Sequence, residues 1–138
     1  MSLSRDRHLT PEIRALLTLA MSPHRERVRA ALDAYASDAG LQVWSWEVAG
    51  QRMCAAGMRV QGAQAELLHL GTRLDARHSG YGRALLLALM TDLHLERLEA
   101  ETDDEAIGFY RRAGFEVEET ATRFGTPRYR CLLRGATV

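Results

Sequence analysis

The stretch that most constrains this chain runs from Ala65 to Leu89, AELLHLGTRLDARHSGYGRALLLAL. It reads as an apolar strand, a polar connection with two glycines, and a helix. Within it, Arg77-x-x-Gly80-x-Gly82 stands where the helix begins. A helix start leaves its first backbone N–H groups unpartnered, and the helix dipole puts partial positive charge there. A phosphate or pyrophosphate suits such a place. Gly80 and Gly82 keep Cβ atoms out of the way of a ligand approaching the backbone, while Arg77 and Arg83 add positive charge. Two other phosphate loops are excluded. A Walker A loop needs a lysine, and the chain has none; a dinucleotide G-x-G-x-x-G needs a third glycine where Leu85 stands.

Length and charge narrow the class further. A chain of 138 residues is one domain with room for a real core. Its formal net charge of zero provides no global field to gather nucleic acid or an anionic membrane. No apolar run is long enough to span a bilayer, and no secretory segment is recognisable. Cys54 and Cys131 each sit in a strand-like run and read as buried thiols of a cytoplasmic protein rather than a disulfide or metal pair. The histidines lack zinc-ligand spacing with cysteine, so no metal is expected. No nucleic-acid and no membrane partner is expected, and the assembly is expected to be a monomer or a homodimer.

The rest of the chain gives a mixed α/β order. Residues 1–9 are weakly patterned, a frayed terminus or a poor first strand. Thr10-Pro11 opens a helix whose apolar face is Ile13, Leu16, Leu17 and Ala20. Ser22-Pro23 repeats the signal for a second helix with the stripe Val28, Ala31, Leu32 and Tyr35. Leu41 to Ala49, Arg52 to Val60 and Ala65 to Thr72 are strands joined by tight turns, hence an antiparallel meander. After the glycine loop, Arg83 to Leu93 is apolar on most sides and predicts a buried helix. Leu95 to Glu101 follows as a strand, and a strand–helix–strand order favours a parallel crossover. Thr102 and Glu105 have the spacing of a capping box for a helix ending at Gly114. Phe115 to Glu119 is a strand, Thr120 to Pro127 a loop, and Arg128 to Leu133 the last strand.

The segment AETDDEAIGFYRRAGFEVEE is the second informative stretch. Aromatics at helical spacing ordinarily serve a core. Here, however, Ala106-x-x-Phe109-Tyr110-x-x-x-Gly114-Phe115 follows the strand, R-x-x-G-x-G loop, helix and strand in order. This combination resembles the GNAT N-acetyltransferase superfamily, most strongly over residues 65–119, and Arg128 to Leu132 looks like the last strand of small bacterial members.

The resemblance implies a GNAT-like mixed α/β fold over residues 1–138, with helices on both faces of a central mixed sheet. It implies acetyl-CoA as co-substrate and transfer of the acetyl group to a primary amine by direct attack. The pyrophosphate would rest on the backbone of His78, Ser79, Gly80, Tyr81, Gly82 and Arg83 beside Arg77. The pantetheine would lie along Leu70, Gly71 and Thr72 where that strand splays from the next, with Asp103 and Phe109 as further contacts. Tyr110 falls where many members carry the acid for the departing thiolate. Three positions depart from the pattern: Leu74 stands where proline is frequent, Asp103 where asparagine is frequent, and the first strand is faint.

The general base is expected on the strand at Ala65 to Thr72, where Glu66 and His69 are the ionisable residues. Regular alternation puts them on opposite faces. Glu66 is taken as the base and His69 as a hydrogen-bonded sheet histidine. The resemblance also implies an acceptor, a small-molecule or peptide amine, between Met21 to His24 and Glu119 to Pro127; its identity is not legible. Two readings from other classes stand beside this one: a non-catalytic acyl-CoA-sensing module of the same fold, and a nucleotide-binding domain using the same loop.

Overall fold

The computed structural model describes residues 1–123 and 125–135. In chain order the elements are β1 (Ser2–Arg5), α1 (Pro11–Thr18), α2 (Arg25–Ser37), β2 (Leu41–Val48), β3 (Gln51–Gln61) and β4 (Gln64–Thr72). A single 3-10 turn (Leu74–Ala76) leads to α3 (Tyr81–Asp92), β5 (Arg97–Asp103), α4 (Ile107–Arg112), β6 (Glu116–Arg123) and β7 (Thr126–Arg134). Seven strands form one sheet in the order β1-β2-β3-β4-β5-β7-β6. All neighbours are antiparallel except β4 and β5, the pair joined by the α3 crossover.

Helices cover both faces, and the strand alternation sorts the core accordingly. On one face Ile13, Leu16 and Leu17 of α1 and Tyr35 of α2 pack on Leu41, Val43 and Ala55. On the other, Leu85, Leu86 and Leu89 of α3 and Tyr110 of α4 pack on Met58, Leu67, Leu98 and Cys131. Cys54 and Cys131 are both buried and unpaired. Among the described residues, no helix is long and apolar enough to cross a membrane.

The α1 start is as expected: Thr10 Oγ1 accepts from the Ile13 N–H at 3.3 Å, with Pro11 in the first turn. Elsewhere tertiary pairing moves the boundaries. Residues 2–5 are a true strand, held edge-on by β2. Helix α2 starts at Arg25, beyond Ser22-Pro23. The β6–β7 ladder takes up most of the loop expected at 120–127, from which residue 124 lies outside the described residues.

The capping box is absent. Thr102 lies inside β5, because β7 pairs with that strand as far as Thr102↔Tyr129 and Asp103↔Arg128. The ladder claims the backbone that the helix would have needed. Asp103 Oδ1 instead accepts from the N–H groups of Glu105 and Ala106, each at 3.1 Å, and α4 follows. Gly114 ends α4 as expected, at φ 96°.

Candidate active site

Between β4 and β5 the pairing runs from Gln64↔Arg97 to Leu67↔Ala100 and stops, although both strands continue. The cause lies in β4. Opposite β3, Gly57 pairs with His69 and Met58 with Leu67, which leaves Leu68 as a bulge. A bulge bends its strand and sharpens the local twist. Beyond it β4 diverges from β5, which stays with β7, and a wedge opens between them. The Arg73 N–H donates to the Met53 carbonyl at 2.9 Å, so Gly71 pairs toward β3 and the N–H groups of Leu70 and Thr72 face the wedge. Main-chain donors on this edge therefore come from Leu70 and Thr72, not Gly71. Gly71 has a different duty: a Cβ there would lie 1.7 Å from the Leu16 carbonyl oxygen, so its bare Cα is what lets α1 seat on the strand.

The bulge also corrects the alternation read from sequence. Ala65 and Leu67 face the α3 side, but after the extra residue His69 turns to the α1–α2 side, the side that Glu66 already faces. Glu66 is exposed and lines a separate hollow of about 130 Å³ with Arg59, Arg97 and Glu99. His69 instead lines the main cleft.

That cleft, of about 500 Å³, is walled by Ala20, Met21 and Ser22 of the α1–α2 connection, by Arg27, Val28 and Ala31 of α2, and by Leu68 to Leu70 of β4. Glu101 to Asp103 of β5, Tyr110 of α4 and Arg128 of β7 complete it. Arg128 Nε meets Glu101 Oε1 at 3.1 Å across its floor. Tyr110 serves both core and cleft. Its ring stands edge-on to Phe109 and Phe115, with centroids 5.2 and 5.1 Å away. Burial, with help from Cys131 and Asp103, pushes its phenol up to about 12, so the hydroxyl keeps its proton at neutral pH.

His69 Nδ1 lies 2.6 Å from the hydroxyl of Tyr35. Burial lowers its pKa below the ordinary histidine value and raises that of Tyr35. Tyr35 reaches β4 because Gly57 leaves room: a Cβ at Gly57 would fall 2.1 Å from the Tyr35 oxygen. The helical spacing of α2 puts Tyr35 in its apolar stripe and by itself says nothing of Gly57. A glycine inside an otherwise apolar strand was the signal for such a close approach.

The glycine loop lies at the other end of the wedge. Arg73 holds Asp75 through two bonds of 3.1 and 3.0 Å, which braces the 3-10 turn, while Leu74 is exposed. Arg77, His78, Ser79 and Gly80 are exposed, and Gly80 takes φ 82° to turn the chain into α3. The first-turn N–H groups of Tyr81, Gly82 and Arg83 open the helix. Among the described residues, neither Arg77 nor Arg83 has an ion-pair partner. Gly82 is buried, and a Cβ there would sit 3.2 Å from Phe109. Its small size therefore serves helix-to-helix packing, and a bulky substitution would disturb Phe109 before it reached any ligand. Asp103 is engaged in its turn, and Phe109 packs against the core.

Residues 39–117, more than half of the chain, match the family model of the GNAT acetyltransferase domain. The chain belongs to the GNAT acetyltransferase family. It is an acetyltransferase domain. A search of curated proteins finds no match. Among solved structures, the ribosomal-protein-S18-alanine N-acetyltransferase of Escherichia coli is similar with a TM-score of 0.73 at 20% identity, over 99% of this chain and 95% of that one. An aminoglycoside 6'-acetyltransferase of type Ii reaches a TM-score of 0.77 at 16% identity, over 97% of each chain. A GNAT acetyltransferase from Elizabethkingia anophelis, with acetyl-CoA bound, reaches 0.70 at 15% identity, over 96% of this chain and 97% of that one. At these identities the likeness is one of fold. In this GNAT domain Leu70 links the two ends: it lines the cleft, and its side chain lies 3.6 Å from where a Cβ of Gly82 would be.

Proposed function

We propose that this GNAT domain transfers the acetyl group of acetyl-CoA to a primary amine by direct attack, with donor and acceptor bound together. The observation that carries the reading is the wedge. It has main-chain donors on one side, a helix N-terminus at one end, and at the other a cleft holding a protonated phenol. The pyrophosphate sits on the N–H groups of Tyr81 to Arg83, near Arg77. The pantetheine fills the gap beside β4 and bonds Leu70 and Thr72 as a missing strand would. An N–H on this edge also supports the oxyanion as the carbonyl carbon becomes tetrahedral. The acceptor enters through the cleft between Met21 and Arg128.

Tyr110 assists the leaving group. An ordinary thiol has a pKa of about 8.5, well below that of this phenol, so the proton stays mainly on Tyr110. Its contribution is a hydrogen bond that strengthens as charge gathers on sulfur.

The test is release of free CoA from acetyl-CoA with an alanyl peptide, an aminoglycoside and spermidine as separate acceptors. The expected result is release that requires an amine. Binding of acetyl-CoA with no release from any amine would favour the sensing module. In the active pairing, Tyr110→Phe is expected to keep acetyl-CoA affinity and lower kcat at least about tenfold, the scale of losing one hydrogen bond to a charged group, about 1.5–3 kcal/mol. Unchanged single-turnover rates would leave Tyr110 a packing residue.

A further inference from the structure

His69 is half-buried, lines the acceptor cleft, and has one ring nitrogen already committed. Its Nδ1 faces the Tyr35 hydroxyl at 2.6 Å, with the rings edge-to-face at 5.7 Å. That leaves Nε2 as the nitrogen available to the cleft. Tyr35 in turn is locked: among the described residues it is the one buried residue of α2, and Gly57 forms its seat. Three separate features, a strand bulge, a strand glycine and a helix tyrosine, thus converge on the orientation of one imidazole. The bulge, which also opens the wedge, turns the ring to the α1–α2 side, and Gly57 and Tyr35 fix where it points.

We propose that His69 is the general base of the transfer, and that Tyr35 is its positioning residue. This rests on the transferase reading above. With hydrogen on Nδ1, the Tyr35 oxygen accepts it and Nε2 presents its lone pair to the acceptor. The acceptor nitrogen forms the N–C bond to the thioester carbonyl as the C=O π pair moves to oxygen, and its surplus proton passes to Nε2. The π pair returns as the C–S bond breaks, and sulfur departs with the bonding electrons. The imidazolium gives its proton to water and the thiolate takes one from water, so amine and thioester become amide and thiol. While Nε2 holds the proton, the Nδ1–H···O bond to Tyr35 becomes charge-assisted and stronger. Burial lowers the histidine pKa, so the ring is neutral and ready to accept at neutral pH.

The other titratable or charged groups facing the cleft are Arg27 of α2, Glu101 and Asp103 of β5, Tyr110 of α4 and Arg128 of β7. Glu101 is paired with Arg128, and Asp103 caps its own turn. The experiment is therefore the pH profile of kcat at saturating amine, using whichever of alanyl peptide, aminoglycoside or spermidine releases CoA fastest. Saturation removes the titration of the free amine from the profile. Wild type is expected to lose activity with acid along a one-proton limb at or below about pH 6.5, the ordinary histidine value. His69→Asn keeps an N–H donor for the Tyr35 oxygen but has no base; it should lose that limb and at least about a hundredfold in kcat. Tyr35→Phe keeps the ring in its seat; it should lower kcat with little change in KM and move the limb to lower pH, because the imidazolium loses its partner. Nitrogen NMR of the unsubstituted protein adds a readout independent of any variant's folding: Nδ1 should carry the hydrogen in the neutral ring. A His69→Asn enzyme with wild-type kcat and an unchanged limb, or a neutral ring protonated on Nε2, overturns the proposal while leaving the transferase reading intact. No CoA release from wild type with any of the three amines overturns both.

Discussion

The two helical faces of the sheet are built to different standards. Helix α3 buries Gly82, Leu85, Leu86, Leu89 and Met90, and its cluster extends through α4 to Phe115 and Cys131. Helix α2 is longer, yet Tyr35 is its one buried residue among those described, and α1 supplies most of the packing beside it. The glycine loop opens α3, and α2 walls the cleft. A pyrophosphate seat works when its N–H groups are fixed before the ligand arrives. An acceptor wall held by one aromatic side chain and a hydrogen bond can yield, and local stability follows buried contact. The difference assigns rigidity to the glycine-loop end and compliance to the cleft wall.

The contrast can be broken most severely through Leu89, which is fully buried. Leu89→Ala should cost about 2–5 kcal/mol, read as a lowered urea midpoint with one cooperative transition. A loss below about 1 kcal/mol would mean that the α3 face is not the tighter one. Gly71→Ala comes next, since its methyl collides with backbone rather than with a movable side chain. Overpacking of this kind costs about 1–3 kcal/mol. Hydrogen exchange should place the damage in α1 and α2 while α3 keeps its protection; equal loss on both faces would erase the distinction. The smallest effect is expected from Asp103→Ala, which removes the acceptor for two N–H groups before α4. A lost cap of this type costs about 0.5–2 kcal/mol. Thr102→Ala, by contrast, should leave those two bonds in place. Thermal melts in which the threonine variant suffers the larger loss would return the cap to Thr102.

What could be read from sequence divides along the same physical line. Features written in adjacent residues were legible: Thr10-Pro11 at a helix start, the strand–glycine loop–helix order, and Gly114 after α4. Features decided by a partner far along the chain were not. Thr102 and Glu105 have the spacing of a capping box, but β7 pairs through Asp103 and the ladder prevails. The bulge at Leu68 is a register choice between β3 and β4, and neither strand alone encodes it. Reading β4 as regular put Glu66 and His69 on opposite faces and favoured Glu66. One extra residue reverses the phase and brings His69, not Glu66, to the cleft. Tyr110 and the loop arginines stand in motifs made of adjacent residues, which a sequence displays directly. Tyr35 was missed because its meaning depends on Gly57, in another element.

The short pairing between β4 and β5 has a mechanical consequence. Strands β1 to β4 form one continuous antiparallel blade and β5, β7 and β6 another, and four residue pairs join them. Such a joint acts as a torsion bar, and the divergent strand ends are its levers. From Leu67 to Thr72 the lever is about 16 Å long, so a twist of about 5° between the blades moves its tip by about 1.4 Å. The width of the mouth is therefore governed from its root. Side chains that stiffen or soften the joint, Ala65 and Leu67 on one blade and Leu98 and Ala100 on the other, set how far the mouth opens without lining it.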